Sequence, residues 1–367
     1  MSTISVEILR TWLEEHRDVL VLDVRPASDY QEWAIPGSLH VDAYEALKRH
    51  DQEALAALQF DASRPVVTVC GVGQTSQIAA EHLAARGVQV YSLEGGMKAW
   101  SLAWNTAEVA VAGSAVQVIQ VRRTGKGCLS YMIGADQEAF VIDASLDPQV
   151  YLDLATEQGW QISSVFDTHI HADHLSRSRQ LAAQAGATLF LPDQQRVSFP
   201  FTAMHDGETL ATPSLSVTAL HTPGHTREST CYLLDNHLLL TGDTLFLTSV
   251  GRPDLHTTQQ EAQARAEALY HSLHKLLSLP AETVVLPGHC SQPVPFDGVP
   301  IRTTLAQVNA QIEILHLTRT DFVHQILSRL PATPPNYDRI VTLNEHGLLP
   351  EVPVTELEAG ANRCAIS

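Results

Sequence analysis

The first hundred residues alternate short apolar runs with segments of helical periodicity. Three of the apolar runs predict strands, at residues 19–24, 65–70 and 88–93. Residues 65–70 are apolar on both faces, which is typical of a strand buried in a parallel sheet. Residues 76–86 show a helical pattern that ends at Gly87, a favourable residue for a C-terminal helix cap. This alternation predicts an α/β module over residues 1–105, a parallel sheet with helices on both faces.

The pattern changes after residue 105. Residues 106–115 are small and show no periodicity, so we expect them to link two modules. Three strands of a meander are then predicted, at residues 116–122, 130–134 and 139–143. Helices and strands alternate up to residue 287, and residues 301–330 are mostly helical in pattern. The second module therefore spans residues 116–367, with a C-terminal helical extension from about residue 291.

Ligand-type side chains recur directly after the predicted strands of the second module. Residues 162–167 predict a buried strand, residues 175–184 a helix, and four potential ligands lie between them: His169, His171, Asp173 and His174. Three later strand ends add His221 and His225, then Asp243, then His289. Imidazole and carboxylate groups bind zinc, iron or manganese. Repetition at four strand ends predicts a metal centre.

Cys70 lies at the end of a predicted buried strand. The loop Gly71-Val72-Gly73-Gln74-Thr75 follows it and leads into a helix. This arrangement turns backbone N–H groups toward the sulfur and can stabilise a thiolate or the terminal sulfur of a persulfide. An isolated cysteine is otherwise most often a core residue. The two glycines and the strand–loop–helix context favour the reactive role.

Composition narrows the classes of function. The formal net charge of −18, with no basic patch, argues against a nucleic-acid partner, although an acidic balance also serves solubility alone. No apolar run is long enough to span a membrane, and residues 1–10 lack a signal-peptide pattern. The five cysteines are odd in number and scattered, which argues against a disulfide framework. We therefore expect a cytoplasmic protein without membrane or nucleic-acid partners.

The first module resembles a single rhodanese domain. Four segments match in order: residues 22–25 (Leu-Asp-Val-Arg), residues 35–38 (Ile-Pro-Gly-Ser), the Cys70 loop and residues 93–100 (Leu-Glu-Gly-Gly-Met-Lys-Ala-Trp). The resemblance implies sulfur transfer through a persulfide on Cys70, with Asp23 and Arg25 organising the loop. Many rhodaneses that use thiosulfate have Arg or Lys in this loop, and here it has no charge. We therefore expect glutathione persulfide or a protein persulfide as the sulfur donor.

The second module resembles the metallo-β-lactamase superfamily over residues 116–290, through His-x-His-x-Asp-His followed by His, Asp and His. The resemblance implies an α+β fold, an αββα sandwich with metals at one edge of its two sheets. It also implies two sites that share Asp243: one with His169, His171 and His225, the other with Asp173, His174 and His289. The family counterpart of His221 is not a ligand, so we expect a structural role for it.

Residues 249–255 (Ser-Val-Gly-Arg-Pro-Asp-Leu) are similar to the Gly-Arg-x-Asp loop of the persulfide dioxygenase branch, and residues 360–364 (Gly-Ala-Asn-Arg-Cys) to the ends of some of its members. This resemblance implies one Fe(II) per chain, held by His169, His225 and Asp243, with three positions open for substrates. The remaining ligand-type residues would orient ligands or hold protons: His171, Asp173, His174 and His289.

The same loop implies substrate contacts. Arg252 would bind a glutathione carboxylate, since its planar fork suits that group, and Asp254 would position Arg252. The alternative for Arg252 is a surface ion pair. The chain departs from the usual branch pattern at residues 175–177 (Leu-Ser-Arg) and at Arg227-Glu228, which leaves the thiol carrier open.

Together the modules predict a persulfide dioxygenase with a fused sulfurtransferase. Glutathione persulfide, O2 and water would yield glutathione and sulfite. The first module would load glutathione with sulfur, or pass sulfur from Cys70 to sulfite and give thiosulfate; the sequence leaves the direction open. The resemblance also suggests a homodimer.

Two alternatives remain. The seven ligand-type residues also suit a hydrolase of the glyoxalase II type with two zinc ions, which would activate a bridging hydroxide. The first module could instead be a non-catalytic sulfide sensor or docking domain, although its complete cysteine loop favours activity.

Overall fold

The N-terminal module is a five-stranded parallel sheet with helices on both faces, which confirms the predicted architecture. The computed structural model describes residues 2–61, 63–111, 116–255 and 257–366. Within them the module consists of β1 (Thr3–Ile4), α1 (Val6–Glu14), β2 (Leu20–Asp23), α2 (Ala27–Glu32), β3 (Leu39–His40), α3 (Tyr44–Lys48), β4 (Val66–Val69), α4 (Gln74–Ala84), β5 (Val90–Leu93) and α5 (Gly96–Trp100). The strand order is β1-β5-β4-β2-β3, and every pair is parallel.

Apolar side chains cover both faces of this sheet. One face packs against α3 and α4 through Leu47 and Leu83, and the other against α1 and α5 through Leu9 and Trp100. The carboxyl ends of parallel strands meet at one edge of a sheet. Cys70, which directly follows β4, therefore lies at this edge.

The second module is an αββα sandwich, as predicted. Its strands are β6 (Asn105–Val109), β7 (Gln117–Arg122), β8 (Leu129–Ala135), β9 (Glu138–Ile142), β10 (Gln161–Phe166), β11 (Thr188–Pro192), β12 (Thr202–Met204), β13 (Thr209–Ala211), β14 (Ser216–His221), β15 (Thr230–Leu234), β16 (Leu238–Gly242), β17 (Val250–Gly251), β18 (Val284–Pro287), β19 (Thr303–Thr304) and β20 (Ala365–Ile366). Its helices are α6 (Pro148–Gln158), α7 (Ser178–Ala185), α8 (Gln259–Leu277), α9 (Leu305–Gln311), α10 (Arg319–Ser328), α11 (Tyr337–His346) and α12 (Thr355–Glu358), with a 3₁₀ turn at Glu313–His316.

Two sheets enclose the main core of this module. They have the strand orders β12-β11-β10-β9-β8-β7-β6 and β13-β14-β15-β16-β18-β19. Phe166 and Tyr232 meet between the sheets, with ring centroids 5.3 Å apart. Helices α6 and α7 cover one outer face, and α8, α9 and α10 cover the other. Among the described residues, no helix combines the length and apolarity needed to cross a bilayer.

The segment between the modules differs from the sequence expectation. Residues 106–115 are predicted as a linker, but the structure continues β6 to Val109 and pairs it antiparallel with β7. Ala107 and Val109 are buried, so this half of the segment belongs to the sheet. Its small residues alternate too weakly in hydrophobicity to predict a strand. Residues 112–115 lie outside the described residues.

Buried residues hold the two modules together. The Trp33 indole N–H donates to the Thr124 carbonyl at 3.1 Å, and Trp100 is fully buried beside Phe296. A Cβ on Gly125 would lie 1.9 Å from the Trp100 carbonyl oxygen, so only glycine allows this approach. The modules therefore share a packed interface.

The C-terminal extension contacts both modules. Glu358 of α12 is fully buried, and its carboxylate accepts from Arg123 Nη1 and from the Leu175 N–H, both at 2.9 Å. Arg123 also donates to the Ser101 carbonyl of the first module at 2.9 Å. The tail then pairs β20 antiparallel with β17, beside the ligand-type residues.

Candidate metal centre and cysteine loop

The ends of four strands bring the ligand-type residues together. The loop with His169, His171, Asp173 and His174 follows β10, and His225, Asp243 and His289 follow β14, β16 and β18. All seven side chains are buried. The helix predicted at residues 175–184 begins at Ser178, because the N–H groups of Leu175 and Ser176 donate to the side chains of Glu358 and Asn344. These bonds hold the end of the loop.

Three side chains form the first cluster: His169, His225 and Asp243. Asp243 Oδ2 lies 3.8 Å from His169 Nε2 and 3.6 Å from His225 Nε2. His169 Nε2 and Asp243 Oδ2 have no hydrogen-bond partner among the described residues. Buried polar atoms without partners are rare and require an explanation. A metal ion at their common focus would supply the missing partner.

Hydrogen bonds fix the orientation of both imidazoles in this cluster. His225 Nδ1 donates to the Arg252 carbonyl at 2.8 Å. His169 Nδ1 lies 2.9 Å from Thr168 Oγ1, which donates to the Asp143 carboxylate. Each ring therefore presents an unprotonated Nε2, the form that binds metals.

The charge states agree with this arrangement. Burial lowers the pKa of His225, and burial together with His171 lowers the pKa of His169 well below its ordinary value. Burial alone would raise the pKa of Asp243, but His289, His169 and His225 hold it below its ordinary value. The first cluster thus offers two neutral imidazoles and one carboxylate.

The second cluster consists of Cys128, Asp173, His174 and His289, and its members bond to one another. His289 Nδ1 lies 2.5 Å from Asp243 Oδ1, and its Nε2 lies 2.9 Å from Asp173 Oδ2. Asp173 Oδ1 lies 3.0 Å from His174 Nδ1. Burial would lower the pKa of His289, but Asp173 and Asp243 raise it well above its ordinary value. Both nitrogens of His289 are therefore engaged.

The structure places two further residues of the metal motif outside the first cluster. His171 Nε2 lies 3.2 Å from Asp143 Oδ1, and this ring groups with Asp143 and Asp167. His221 is exposed, and its Nε2 contacts the Arg227 carbonyl at 2.9 Å. The role carried over for His171 as a ligand of the first site stays a prediction.

The structure gives Arg252 other partners than the substrate carboxylate expected for it, and it pairs Arg252 with Asp254 as expected. Arg252 is fully buried, and its Nε and Nη2 each donate to Asp254 at 2.8 Å. Its Nη1 donates to the carbonyls of Ala332 and Arg363, at 3.1 and 3.2 Å. The guanidinium is therefore committed to the C-terminal tail, and neither Arg252 nor Asp254 is free for a substrate carboxylate.

Residues 227 and 228, where the chain departs from the family pattern, are bonded to groups other than the metal-ligand atoms. Glu228 is buried and accepts from the Ile170 N–H at 3.2 Å and from Arg196 at 3.1 Å. Arg227 is exposed and pairs with Glu261. Glu228 thus holds the loop His169–His174 in place through the backbone N–H of Ile170.

Sequence reasoning missed Cys128, Asn362 and Cys364. Cys128 Sγ lies 3.3 Å from Asp173 Oδ2, and Asn362 Nδ2 donates to the same oxygen at 3.0 Å. Cys364 groups with Asp243 and His289. The only sequence signal for the last two was the short similarity of the tail, because residues distant along the chain carry no spacing rule.

The Cys70 loop has the expected strand–loop–helix geometry. The Gly73 N–H donates to Cys70 Sγ at 3.2 Å, and Gly73 has φ +91°, which favours glycine. The Met97 N–H donates to the Cys70 carbonyl at 2.8 Å. A Cβ on Gly96 would lie 2.2 Å from that carbonyl oxygen. The Gly95-Gly96 motif therefore supports the cysteine loop directly.

Asp23 and Arg25 brace the neighbouring strand end. Arg25 Nη2 donates to Asp23 Oδ2 and to the Trp33 carbonyl, both at 2.7 Å. Both side chains are buried, so their role is to hold the backbone.

Comparison with known proteins agrees with this architecture. Residues 5–103 match the rhodanese-like domain, and residues 123–289 match the metallo-beta-lactamase superfamily. Hydroxyacylglutathione hydrolase of Rhizobium johnstonii is 36% identical over 151 residues, which is 40% of this chain and 56% of that protein. The enzyme of the same name from Methylococcus capsulatus is 34% identical over 152 residues, with the same shares. The chain thus spans little more than half the length of these curated relatives.

Two solved structures resemble most of the chain. A metallo-beta-lactamase from Staphylococcus aureus has a TM-score of 0.59 and 25% identity, covering 65% of this chain and 75% of its own. ETHE1 from Myxococcus xanthus has a TM-score of 0.52 and 28% identity, covering 66% of this chain and 98% of its own. The chain is therefore a rhodanese-like domain fused to a metallo-β-lactamase-fold domain.

Proposed function

We propose that this protein is a persulfide dioxygenase with a fused sulfurtransferase. The observation that carries the proposal is the first cluster, in which two imidazoles and one carboxylate present ligand atoms to one point. Two histidines and one carboxylate on one face of a metal are the donor set of non-haem iron oxygenases. Fe(II) held by His169, His225 and Asp243 would leave positions open for O2 and for a persulfide sulfur. It would also allow electrons to pass from the sulfur to O2.

The second cluster can serve as a hydrogen-bond network beside one metal ion. His289 donates to Asp243 and to Asp173, so only one Asp243 oxygen is left for the first site. A second ion would replace the protons in these contacts, since the same side chains also form a possible ligand group. We propose that Asp173, His174 and His289 hold protons and orient Asp243.

The proposed reaction balances with one O2 and one water. Glutathione persulfide, O2 and water give glutathione and sulfurous acid, which ionises to sulfite. The S–S bond breaks, the outer sulfur is oxidised by four electrons, and O2 accepts them. The glutathione sulfur leaves as a thiol after taking a proton, for which the paired carboxylates and imidazoles of the second cluster are suitable carriers.

A glutathione-derived substrate is supported by the curated relatives, which act on hydroxyacylglutathione by name. We propose that a group other than Arg252 recognises its carboxylates, because the Arg252 guanidinium is already hydrogen-bonded through all three nitrogens. For the rhodanese-like domain we propose sulfur transfer through Cys70, toward glutathione or from Cys70 to sulfite.

The second candidate is thioester hydrolysis with two zinc ions, which the names of the curated relatives favour. A two-zinc site would use Asp173, His174 and His289 as ligands. The two candidates therefore differ in metal count and in the role of His289.

Oxygen uptake tests the proposal. The full chain is loaded anaerobically with Fe(II), and glutathione persulfide is then added in air-saturated buffer. Rapid uptake with one sulfite formed per O2 is the expected result, and His225→Ala should abolish both uptake and iron binding. No uptake by protein shown to contain iron would contradict the dioxygenase.

Two further variants separate the candidates. His289→Gln should retain one iron in the dioxygenase, whereas in the hydrolase it should lose one of two zinc ions and thioester cleavage. Cys70→Ser should leave uptake with supplied glutathione persulfide unchanged and lose persulfide labelling of the rhodanese-like domain. Loss of uptake in Cys70→Ser would show that the two domains do not act separately.

A further inference from the structure

The interface between the two domains contains a buried lysine without a partner. Lys126 is 4% exposed. Its backbone N–H donates to the Arg123 carbonyl at 3.1 Å, but its ammonium group has no hydrogen bond or ion pair with any described residue. Lysine is almost never this deeply buried unless it is paired. The ammonium nitrogen is not among the fully buried atoms without a partner, so the buried stem ends in a charge that faces open space.

The local backbone fixes this position. Lys126 lies at the tip of the β7–β8 hairpin, between Gly125 and Gly127. A Cβ on Gly125 would meet the Trp100 carbonyl, and a Cβ on Gly127, which has φ +92°, would lie 2.5 Å from the Cys290 carbonyl oxygen. Two glycines thus let the hairpin tip fit between the two domains, and the lysine between them is held there.

Lys126 lines a cavity of about 180 Å³ at this interface. The wall includes Glu32 of the rhodanese-like domain, Asp173 of the second cluster, Arg363, Leu357 and residues 359–361. The cavity therefore touches both domains and the edge of the metal centre, and a small anion fits within it.

The other charged groups in the wall are compensated. Arg363 Nη2 pairs with Glu32 Oε1 at 2.6 Å. The Asp173 carboxylate is bonded to His174, His289 and Asn362. Lys126 is the one cation of this wall that lacks a contact partner among the described residues, so the cavity has an unmet preference for an anion.

We propose that Lys126 is the recognition group of a sulfur-oxyanion subsite that binds sulfite or thiosulfate between the two domains. This inference rests on the proposed function, in which sulfite is formed at the metal centre and is a sulfur acceptor for Cys70. The subsite holds the oxyanion near Asp173, away from the metal ligands His169 and His225, and contacts it through the ammonium group.

Anion binding without turnover tests the subsite. Sulfite and thiosulfate are titrated by calorimetry into the full chain, after reduction to remove bound sulfane sulfur, in metal-free and iron-loaded forms. Lys126→Met keeps the apolar stem and removes the charge, and should weaken both anions by about tenfold or more. Lys48→Met, at an exposed position on α3, is the matched control and should bind both as the wild type does.

The outcomes separate this site from other anion sites. Binding that disappears on metal removal and is unchanged in Lys126→Met would place the anion on the metal and overturn the proposal. Binding of S-methylglutathione tests whether Lys126 recognises a glutathione carboxylate instead. Weaker binding of S-methylglutathione with unchanged sulfite affinity in Lys126→Met would assign Lys126 to a substrate carboxylate, and the oxyanion subsite would be refuted.

A second measurement does not depend on the variant's folding. Sulfite and thiosulfate should protect Lys126 of the wild-type protein from acylation by an N-hydroxysuccinimide ester, as read by peptide mass spectrometry, and leave Lys48 equally reactive. Absence of protection at saturating anion would overturn the subsite. Oxygen uptake is measured separately. If the protein binds the anions through Lys126 but takes up no oxygen, the dioxygenase proposal is refuted and the anion subsite stands.

Discussion

Glu358→Gln is expected to destabilise the protein strongly, because Glu358 balances two buried cations. Its carboxylate accepts from Arg123, which is fully buried, and lies 3.6 Å from Arg177, which is 6% exposed. It also accepts the Leu175 N–H at 2.9 Å. The substitution keeps the size and shape of the side chain, removes its charge and replaces one acceptor oxygen by an NH2 donor.

The magnitude follows from this burial. Removing one partner of a buried ion pair costs about 3–5 kcal/mol, since the remaining charge is left uncompensated. The glutamine oxygen can keep the bond to Leu175, so we expect the low end, about 3 kcal/mol of the free energy of unfolding. Glu356, two residues earlier in α12, pairs with Lys98 at the surface and is 49% exposed in its side chain. Glu356→Gln should therefore cost less than about 1 kcal/mol.

Urea unfolding of the full chain, followed by tryptophan fluorescence at neutral pH, measures the difference between the two variants. Glu358→Gln within about 1 kcal/mol of Glu356→Gln, at unchanged m-value, would refute the reasoning. The pH dependence adds a check. Burial would raise the pKa of Glu358, but Arg123 and Arg177 hold it below the ordinary value of 4.5. Its stabilising contribution is therefore complete above pH 4.5 and is lost as the pH falls through the lowered pKa.

Three further predictions concern the orientation of His169, the Cys70 loop and the bound metal. Thr168→Val removes the group that orients His169, so metal affinity should fall by about 10–100-fold in a chelator-competition titration; unchanged affinity would contradict this orientation. Gly96→Ala would force a Cβ to within 2.2 Å of the Cys70 carbonyl and should abolish persulfide labelling of Cys70, whereas Gly87→Ala, also at positive φ but in open space, should retain labelling. Chelation of the bound metal should lower the melting temperature measured by calorimetry, because a ligand that binds only the folded state stabilises it; an unchanged melting temperature would argue against a metal at the clusters.

The fold could be predicted largely from sequence because its strands carry strong local signals. The runs that became β4 and β18 are almost entirely apolar, and their buried environment beside parallel neighbours favours that pattern. Strand β6 was not predicted, because hydrophobicity alternates only weakly along Thr106, Ala107 and Glu108. These residues form a strand through their pairing with β7. Strand pairing of this kind is a tertiary effect that a single segment does not encode.

The candidate site was predictable where ligands follow strands and unpredictable where distant segments meet. His169, His225 and Asp243 stand at strand ends, so topology alone brings them together. The unexpected partners of Arg252 have a clear physical cause. Its acceptors include the Arg363 carbonyl, 111 positions away along the chain. No sequence pattern predicts a contact between residues that far apart.

The packed interface between the domains has a mechanical consequence. Rotation of the rhodanese-like domain as a rigid body would expose Trp33 and Trp100 to water and break the bond from Arg123 to Ser101. Such an opening would cost free energy as partial unfolding does. The rhodanese-like domain is therefore not expected to rotate as a unit about the linker. In the proposed function, the position of Cys70 relative to the metal ligands would therefore stay constant, and sulfur would have to travel between them on a small diffusing carrier.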